Sequence, residues 1–334
     1  MLKRTMIIVL FFSLFLSAVP KEAAATGSAW AVIDADTGRL LEGYNENVRL
    51  PIASLTKIWT ALTFIESGSS FGDVTISPQA SSAEGSSIYL KQGMHIDAET
   101  LLYGLMLRSG NDAAHALSEQ AGGSLEGFVD LMNDKALVYG LKRTVFTNPS
   151  GLHDDHHLST AYETALMLRY AMDNDKFREI AMTKNHRYEG EDQIYSWRNK
   201  HRLLHSESTA IAGKTGFTKT AGRTLATYFE KDGKNIIVVT LNHSDDWNTH
   251  KNLADKVFSS YKLTTVAKKG TYAILPGVEM ELKNSIRLLL KKGEKAKLQN
   301  IVRIPKGKSE KSTGLWTVLF DNEPLIASEI IIKQ

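Results

Sequence analysis

The chain contains no cysteine, so a disulfide framework, a thiol nucleophile and a thiolate metal site are all excluded, and stability must come from packing. It has little charge of one sign: 40 basic and 37 acidic residues leave +3, of which residues 1–25 hold +2 through Lys3, Arg4, Lys21 and Glu22. That balance gives no case for nucleic acid as a partner. Long hydrophobic runs are also missing. The apolar stretch from Met6 to Val19 is shorter than the roughly 20 residues that a spanning helix needs. No internal repeat or low-complexity tract stands out.

With 334 residues, 43% of them hydrophobic, the chain is long enough for one large domain and one smaller one. Lys3 and Arg4, the apolar run and Ala23-Ala24-Ala25 together read as an export leader over residues 1–25, with processing after about Ala25. An uncut membrane anchor is the alternative. Two short runs, 29–34 and 39–44, flank the turn residues Ala35-Asp36-Thr37-Gly38 and predict a hairpin.

Pro51 to Thr60 follows as a loop entering a helix, whose apolar face is Ile58, Ala61, Leu62 and Ile65. Ser54 and Lys57 lie one turn apart on it, which makes a hydroxyl and an amine neighbours. Lysine serves as a base for serine only if its pKa is lowered, and the unpaired N–H groups of a helix start favour that. Residues 67–95 predict loops with short strands around Ile88 to Leu90. Asp97 predicts a helix cap, and the helix it opens breaks at Ser109-Gly110-Asn111. Further helices are expected from Asp112, from Ser124 and after Thr160, where Thr160 to Glu163 has the form of a capping box.

Strands are expected at 211–219, 223–229 and 235–242, then a helix over Trp247 to Tyr261. Short apolar runs from 263 to 334 predict a small all-β domain, its lysine-rich loops solvated. The tryptophans Trp30, Trp59, Trp197 and Trp316 sit in apolar patterns, and core packing is the expectation. Strands at both ends with helices between make the fold class α/β (α+β), one antiparallel sheet flanked by helices. The domain scheme is then a leader, a large domain over 26–262 and the β-domain over 263–334.

Three motifs occur in order: Ser54-Leu55-Thr56-Lys57, Ser109-Gly110-Asn111 and Lys214-Thr215-Gly216. Each is weak to moderate alone, and a second Ser-x-x-Lys lies at Ser259 to Lys262. That twin closes a helix, where the dipole favours a charged lysine. In this order and these settings, the three motifs resemble those of the serine D-alanyl-D-alanine carboxypeptidases, the low-molecular-mass penicillin-binding proteins. Phe146 to Leu152 and His157 to Ala161 extend the likeness, which covers roughly residues 27–262.

The resemblance implies a β-lactamase/transpeptidase-like fold and a role for each motif residue. Ser54 would be the nucleophile, Lys57 its base and Ser109 a proton relay. Asn111, Lys214, Thr215, Gly216 and Phe217 would bind substrate, with the N–H groups of Ser54 and Phe217 as oxyanion donors and Lys214 depressing the Lys57 pKa by repulsion. It also implies peptidoglycan stem peptides ending in D-Ala-D-Ala as substrate, β-lactams as covalent inhibitors, and no metal or organic cofactor. Export to the cell wall, or to the outer face of the cytoplasmic membrane, goes with that substrate.

Two other functions share these features. A class A-like β-lactamase needs a deacylating glutamate, whose Glu-x-x-Leu-Asn setting is absent; Glu163 lacks the asparagine and reads as a capping residue. A non-catalytic cell-wall binding protein would not need nucleophile and base together. The cluster His153-Asp154-Asp155-His156-His157 invites a zinc reading, although adjacent residues converge on one ion only in a tight loop. The chain ends in a β-branched run, where relatives of this kind often carry an amphipathic membrane helix, so membrane contact stays open.

Overall fold

The computed structural model describes residues 27–190, 194–304 and 311–333. The leader expected at 1–25 lies outside the described residues. Among those described, no helix is long and apolar enough to cross a membrane.

Strands β1 (Ala29–Asp34) and β2 (Leu40–Tyr44) form the predicted hairpin, and β1 pairs on its other edge with Lys234–Leu241. Gly222–Lys231 and Ala210–Thr218 complete an antiparallel five-stranded sheet, with Ala210–Thr218 at one edge. Both faces of this sheet are covered, which explains the unbroken run Ile236-Ile237-Val238-Val239. Ile237 and Val239 face the main core together with Leu55, Ile58 and Leu62, whereas Ile236 and Val238 pack with Val257 and Phe258 of the helix Asp246–Ser260.

Helix α1 (Thr56–Glu66) runs through the main core; every residue from Thr56 to Phe64 is buried. Trp59 is fully enclosed, its Nε1 donating to the Met132 carbonyl at 2.9 Å. Trp197 and Trp316 are buried as well, and Trp30 is partly buried against the second core. A short 3-10 turn, Ala53–Leu55, leads into α1.

Several local expectations are corrected. Ile88 to Leu90 form no strand, because their backbone is bound by a side chain instead: the Ile88 and Leu90 N–H groups donate to the buried Asp112 carboxylate at 3.0 and 3.1 Å. The hairpin strands of that region are Asp73–Thr75 and His95–Asp97. A second hairpin, Asn185–Glu189 with Ile194–Arg198, falls where no strand was expected. Thr160 does cap its helix, accepting from the Glu163 N–H at 3.0 Å. Glu163 closes no capping box: its carboxylate accepts from the Arg143 N–H and from Thr144 Oγ1, at 2.9 and 2.6 Å, and so pins the preceding loop.

The C-terminal region is all β. Lys262–Ala267 pairs with Ile286–Leu290, and a five-stranded antiparallel sheet holds Trp316, Val318, Ile330 and Ile332 in its own core. Arg39 ties this region to the β1–β2 turn, donating to the Leu289 carbonyl at 2.6 Å and to Glu294 at 3.0 Å.

Candidate active site

The three motifs meet at one cleft of about 440 Å3, lined among others by Ser54, Ser86, Ser109, Thr215, Gly216 and Phe217. Ser54 comes from the 3-10 turn. Neither that turn nor α1 has a side-chain cap, so capping does not account for a serine here. The preceding Ala53 holds φ +49°, a left-handed conformation that a non-glycine residue adopts at a cost.

That turn is braced from two sides. Thr224 Oγ1 donates to the Ile52 carbonyl at 3.0 Å, tying the turn to the sheet. On the other side stands His157, whose Nδ1 accepts from the Thr147 N–H at 3.1 Å. The ring proton therefore sits on Nε2 and is donated to Thr56 Oγ1 at 2.7 Å, while that hydroxyl donates to the Ala53 carbonyl at 2.8 Å. Burial pushes the His157 pKa down to about 4 and keeps the ring neutral.

Lys57 is fully buried, and its Nζ is surrounded by three oxygens: Ser150 carbonyl at 2.5 Å, Asn111 Oδ1 at 2.7 Å and Ser54 Oγ at 3.2 Å. Asn111 is oriented by its amide, which donates to the Glu84 carbonyl at 2.5 Å. The Lys57 pKa is pushed down to about 7. Burial is the largest cause, the Lys200 charge adds to it and Asp112 opposes it. The repulsion expected from Lys214 is thus not the leading effect on Lys57.

Ser109 follows a π-helical segment, Gly104–Arg108, and takes φ +65°. Gly110 answers a packing need, since a Cβ there would lie 2.7 Å from Asp112 Oδ1. The edge strand brings Lys214, also buried, whose Nζ donates to Ser109 Oγ at 3.0 Å and to the Thr215 carbonyl at 2.9 Å. Burial drives its pKa well down, with the Lys57 and Lys200 charges adding to the effect. Gly216 permits a close approach: a Cβ there would meet Thr224 Oγ1 at 2.4 Å and the Ser54 backbone nitrogen at 2.9 Å. The strand backbone at Gly216 therefore lies against the Ser54 N–H. Phe217 itself turns its ring outward, 64% exposed.

All eight residues singled out in the sequence belong to this neighbourhood, and further cleft residues escaped notice, among them Lys200, Trp247 and Arg223. Lys200 and Trp247 come from a loop and a helix without a local signal. Arg223 lies on an expected strand, and its pairing across the sheet with Phe217 brings it to the cleft. Its Nε and Nη2 contact Asp246 at 3.1 and 2.6 Å, leaving donors to spare. The twin motif is elsewhere: Ser259 and Lys262 are exposed, Ser259 bonding to the Asp255 carbonyl. His157 is committed to Thr56 and Thr147, and among the described residues no group of three or more His, Cys, Asp or Glu side chains is placed to hold a metal.

A sheet with helices on both faces, a serine against a buried amine, and a Lys-Thr-Gly edge strand define the class of the penicillin-recognising serine hydrolases. Comparison with known proteins agrees. The sequence profile of peptidase family S11, the D-alanyl-D-alanine carboxypeptidases, matches residues 17–245, and the chain belongs to this family. The D-alanyl-D-alanine carboxypeptidase DacF of Bacillus subtilis is 30% identical, over 94% of this chain and 86% of its own length. A solved D-alanyl-D-alanine carboxypeptidase from Mycobacterium tuberculosis is 30% identical with a TM-score of 0.66, covering 69% of this chain and 90% of that one. Penicillin binding protein 5 from Haemophilus influenzae shares the fold over 92% of this chain and 96% of its own, at 21% identity and a TM-score of 0.74.

Proposed function

We propose that this protein removes the terminal D-alanine from peptidoglycan stem peptides through an acyl-enzyme on Ser54, and that β-lactams acylate the same hydroxyl. The observation that carries this reading is the oxygen cage around Lys57. A neutral amine has two N–H donors and one lone pair. The Ser150 and Asn111 oxygens are acceptors only, and they take the two donors. The lone pair is left for the one neighbour with a proton to give, the Ser54 hydroxyl.

In the proposed mechanism, Lys57 takes the Ser54 proton as Oγ attacks the carbonyl between the two D-alanines. The developing oxyanion is received by the backbone N–H groups of Ser54 and Phe217, donors that need no reorganisation. Ser109, held by Lys214, donates its hydroxyl proton to the leaving amine as the C–N bond breaks and is reprotonated with the proton that Lys57 took from Ser54, which returns Lys57 to its neutral form. Water then releases the shortened peptide from Ser54. Thr215, Lys214 and Arg223 receive the terminal carboxylate, the guanidinium supplying a full charge beside Lys214, on which burial disfavours one.

Two measurements test the reading. Incubation with a purified pentapeptide, followed by mass spectrometry, is expected to show loss of one D-alanine. A fluorescent penicillin is expected to tag the wild type and not Ser54→Ala; tagging of that variant would refute the nucleophile. The missing deacylating glutamate supports slow penicillin release over rapid lactamase turnover.

The leader and the wall substrate together support an exported enzyme, cell-wall associated or at the outer membrane face, acting in wall maturation and cell shape. N-terminal sequencing of the secreted protein should find a new terminus near Thr26; an intact Met1 would point to a retained anchor.

A further inference from the structure

Tyr89 lines a groove beside the cleft and is in an unusual state. It is a bulky residue at φ +65°, and it is 79% exposed, so no burial of its ring offsets the strained backbone. Its loop is nevertheless firmly built. The Asp112 carboxylate accepts from the Ile88 and Leu90 N–H groups and from Ser87 Oγ at 2.6 Å, while the Tyr89 N–H donates to Ser87 Oγ at 2.8 Å. The same Asp112 opens the helix that carries Asn111. Strain held by such a support on the edge of an active site is the kind that persists for function.

The ring lines a groove of about 420 Å3, with Arg108, Ile194, Trp197 and Arg198 among its walls. This groove continues the cleft: Ser86 lines the cleft and Ser87 the groove, and Arg108 directly precedes Ser109. Arg108 Nη1 donates to the Arg198 carbonyl at 3.2 Å, which fixes the guanidinium and leaves its other donors open. Ile194 is 60% exposed on the hairpin that forms the other side. The Arg108 guanidinium, a second arginine at 198, an open aromatic residue and no carboxylate among the described lining residues favour an occupant that is both anionic and partly aliphatic.

Resting on the proposed carboxypeptidase reading, we propose that the groove is a subsite for the part of the stem peptide upstream of its D-alanyl-D-alanine end. Arg108 and Arg198 hold an upstream carboxylate, and Tyr89 packs on the aliphatic portion beside it. The terminal carboxylate is already accounted for by Thr215, Lys214 and Arg223, so the chain leaving along the Ser86 and Ser109 wall is the N-terminal one.

Two otherwise identical peptides ending in D-Ala-D-Ala test this, one neutral upstream and one with an upstream side-chain carboxylate. Wild type is expected to favour the carboxylated peptide in kcat/KM by about tenfold, a preference that shrinks in 0.5 M salt as exposed charges are screened. Tyr89→Ala and Arg108→Gln should each cut the preference to about twofold or less. Tyr89 is exposed and strained, so its replacement threatens the fold least. An active wild type without a preference, or variants that lose the same factor on both peptides, would overturn the subsite. Release of D-alanine from neither peptide would instead overturn the carboxypeptidase reading, and the subsite with it.

Discussion

The low pKa of Lys57 makes a quantitative demand on the kinetics. An ordinary lysine near 10.5 is neutral in only about one molecule in 3000 at pH 7, whereas a group at about 7 is neutral in half. Acylation by a chromogenic or fluorescent penicillin, followed by stopped flow from pH 5.5 to 9, should rise about tenfold per pH unit below 7 and level off above it. Lys200→Gln removes a charge that lowers this pKa, so its midpoint should move upward. Stability provides a separate check. The folded pKa lies below the unfolded one, so between about 7 and 10.5 the unfolded chain binds more protons and stability rises with pH. The cost of burying the ammonium is fully present below pH 7. Relative to Lys57→Met, wild type should therefore gain roughly 2 kcal/mol between pH 7 and 9, read from denaturant titrations. A flat acylation profile across that range, or no relative gain in stability, would show that Lys57 is an ordinary charged lysine and refute the base role.

Three further outcomes follow from the geometry. Gly216→Ala places a methyl 2.4 Å from Thr224 Oγ1 and 2.9 Å from the Ser54 nitrogen; penicillin acylation should slow by at least about tenfold, since an ångström of misplacement is costly at a reacting centre, and an unchanged rate would disprove the close approach. His157→Leu strands the buried Thr147 N–H and the Thr56 hydroxyl, so stability should fall by about 2–4 kcal/mol and acylation should slow although Ser54 and Lys57 are intact; a stable, fully active variant would remove His157 from the support of the turn. Binding of a D-alanyl-D-alanine peptide to Ser54→Ala protein should draw in a proton over the pH range in which free Lys214 titrates, because a carboxylate raises the depressed Lys214 pKa; calorimetry in pairs of buffers that detects no uptake at any pH would count against that contact.

What could be read in the sequence was whatever one short stretch specifies. The β1–β2 hairpin, the caps at Asp97 and Thr160, the helix start near Ser124 and the three motifs each depend on a few neighbouring residues, and each stands in the structure. What escaped depends on partners far along the chain. Ile88 to Leu90 have strand composition, yet Asp112, more than twenty residues on, takes their N–H groups. Glu163 looks like a capping residue until Arg143 and Thr144 are brought beside it. Likewise, Ser150 contributes a backbone oxygen to the Lys57 cage, and no side chain advertises a carbonyl. The helix start and, through the resemblance, repulsion from Lys214 stood as the causes of a low Lys57 pKa, since composition cannot show that both amines are buried.

That burial changes how the two lysines work together. Each is enclosed, and a charge on Lys57 makes charging Lys214 harder, so the free site does not readily hold two ammonium ions. A substrate brings a carboxylate to Thr215 and Arg223, beside Lys214, and favours the proton there. The new charge on Lys214 presses on Lys57 and keeps it neutral, which is the form that deprotonates Ser54. Between them stands Ser109, bonded to Lys214 and adjacent in sequence to the segment that places Asn111 on Lys57. A peptide lacking its terminal carboxylate would leave the Lys214 pKa depressed and Lys57 freer to take up a proton. The carboxylate thus acts twice, in binding and in holding the base ready, so its removal should lower kcat as well as raise KM.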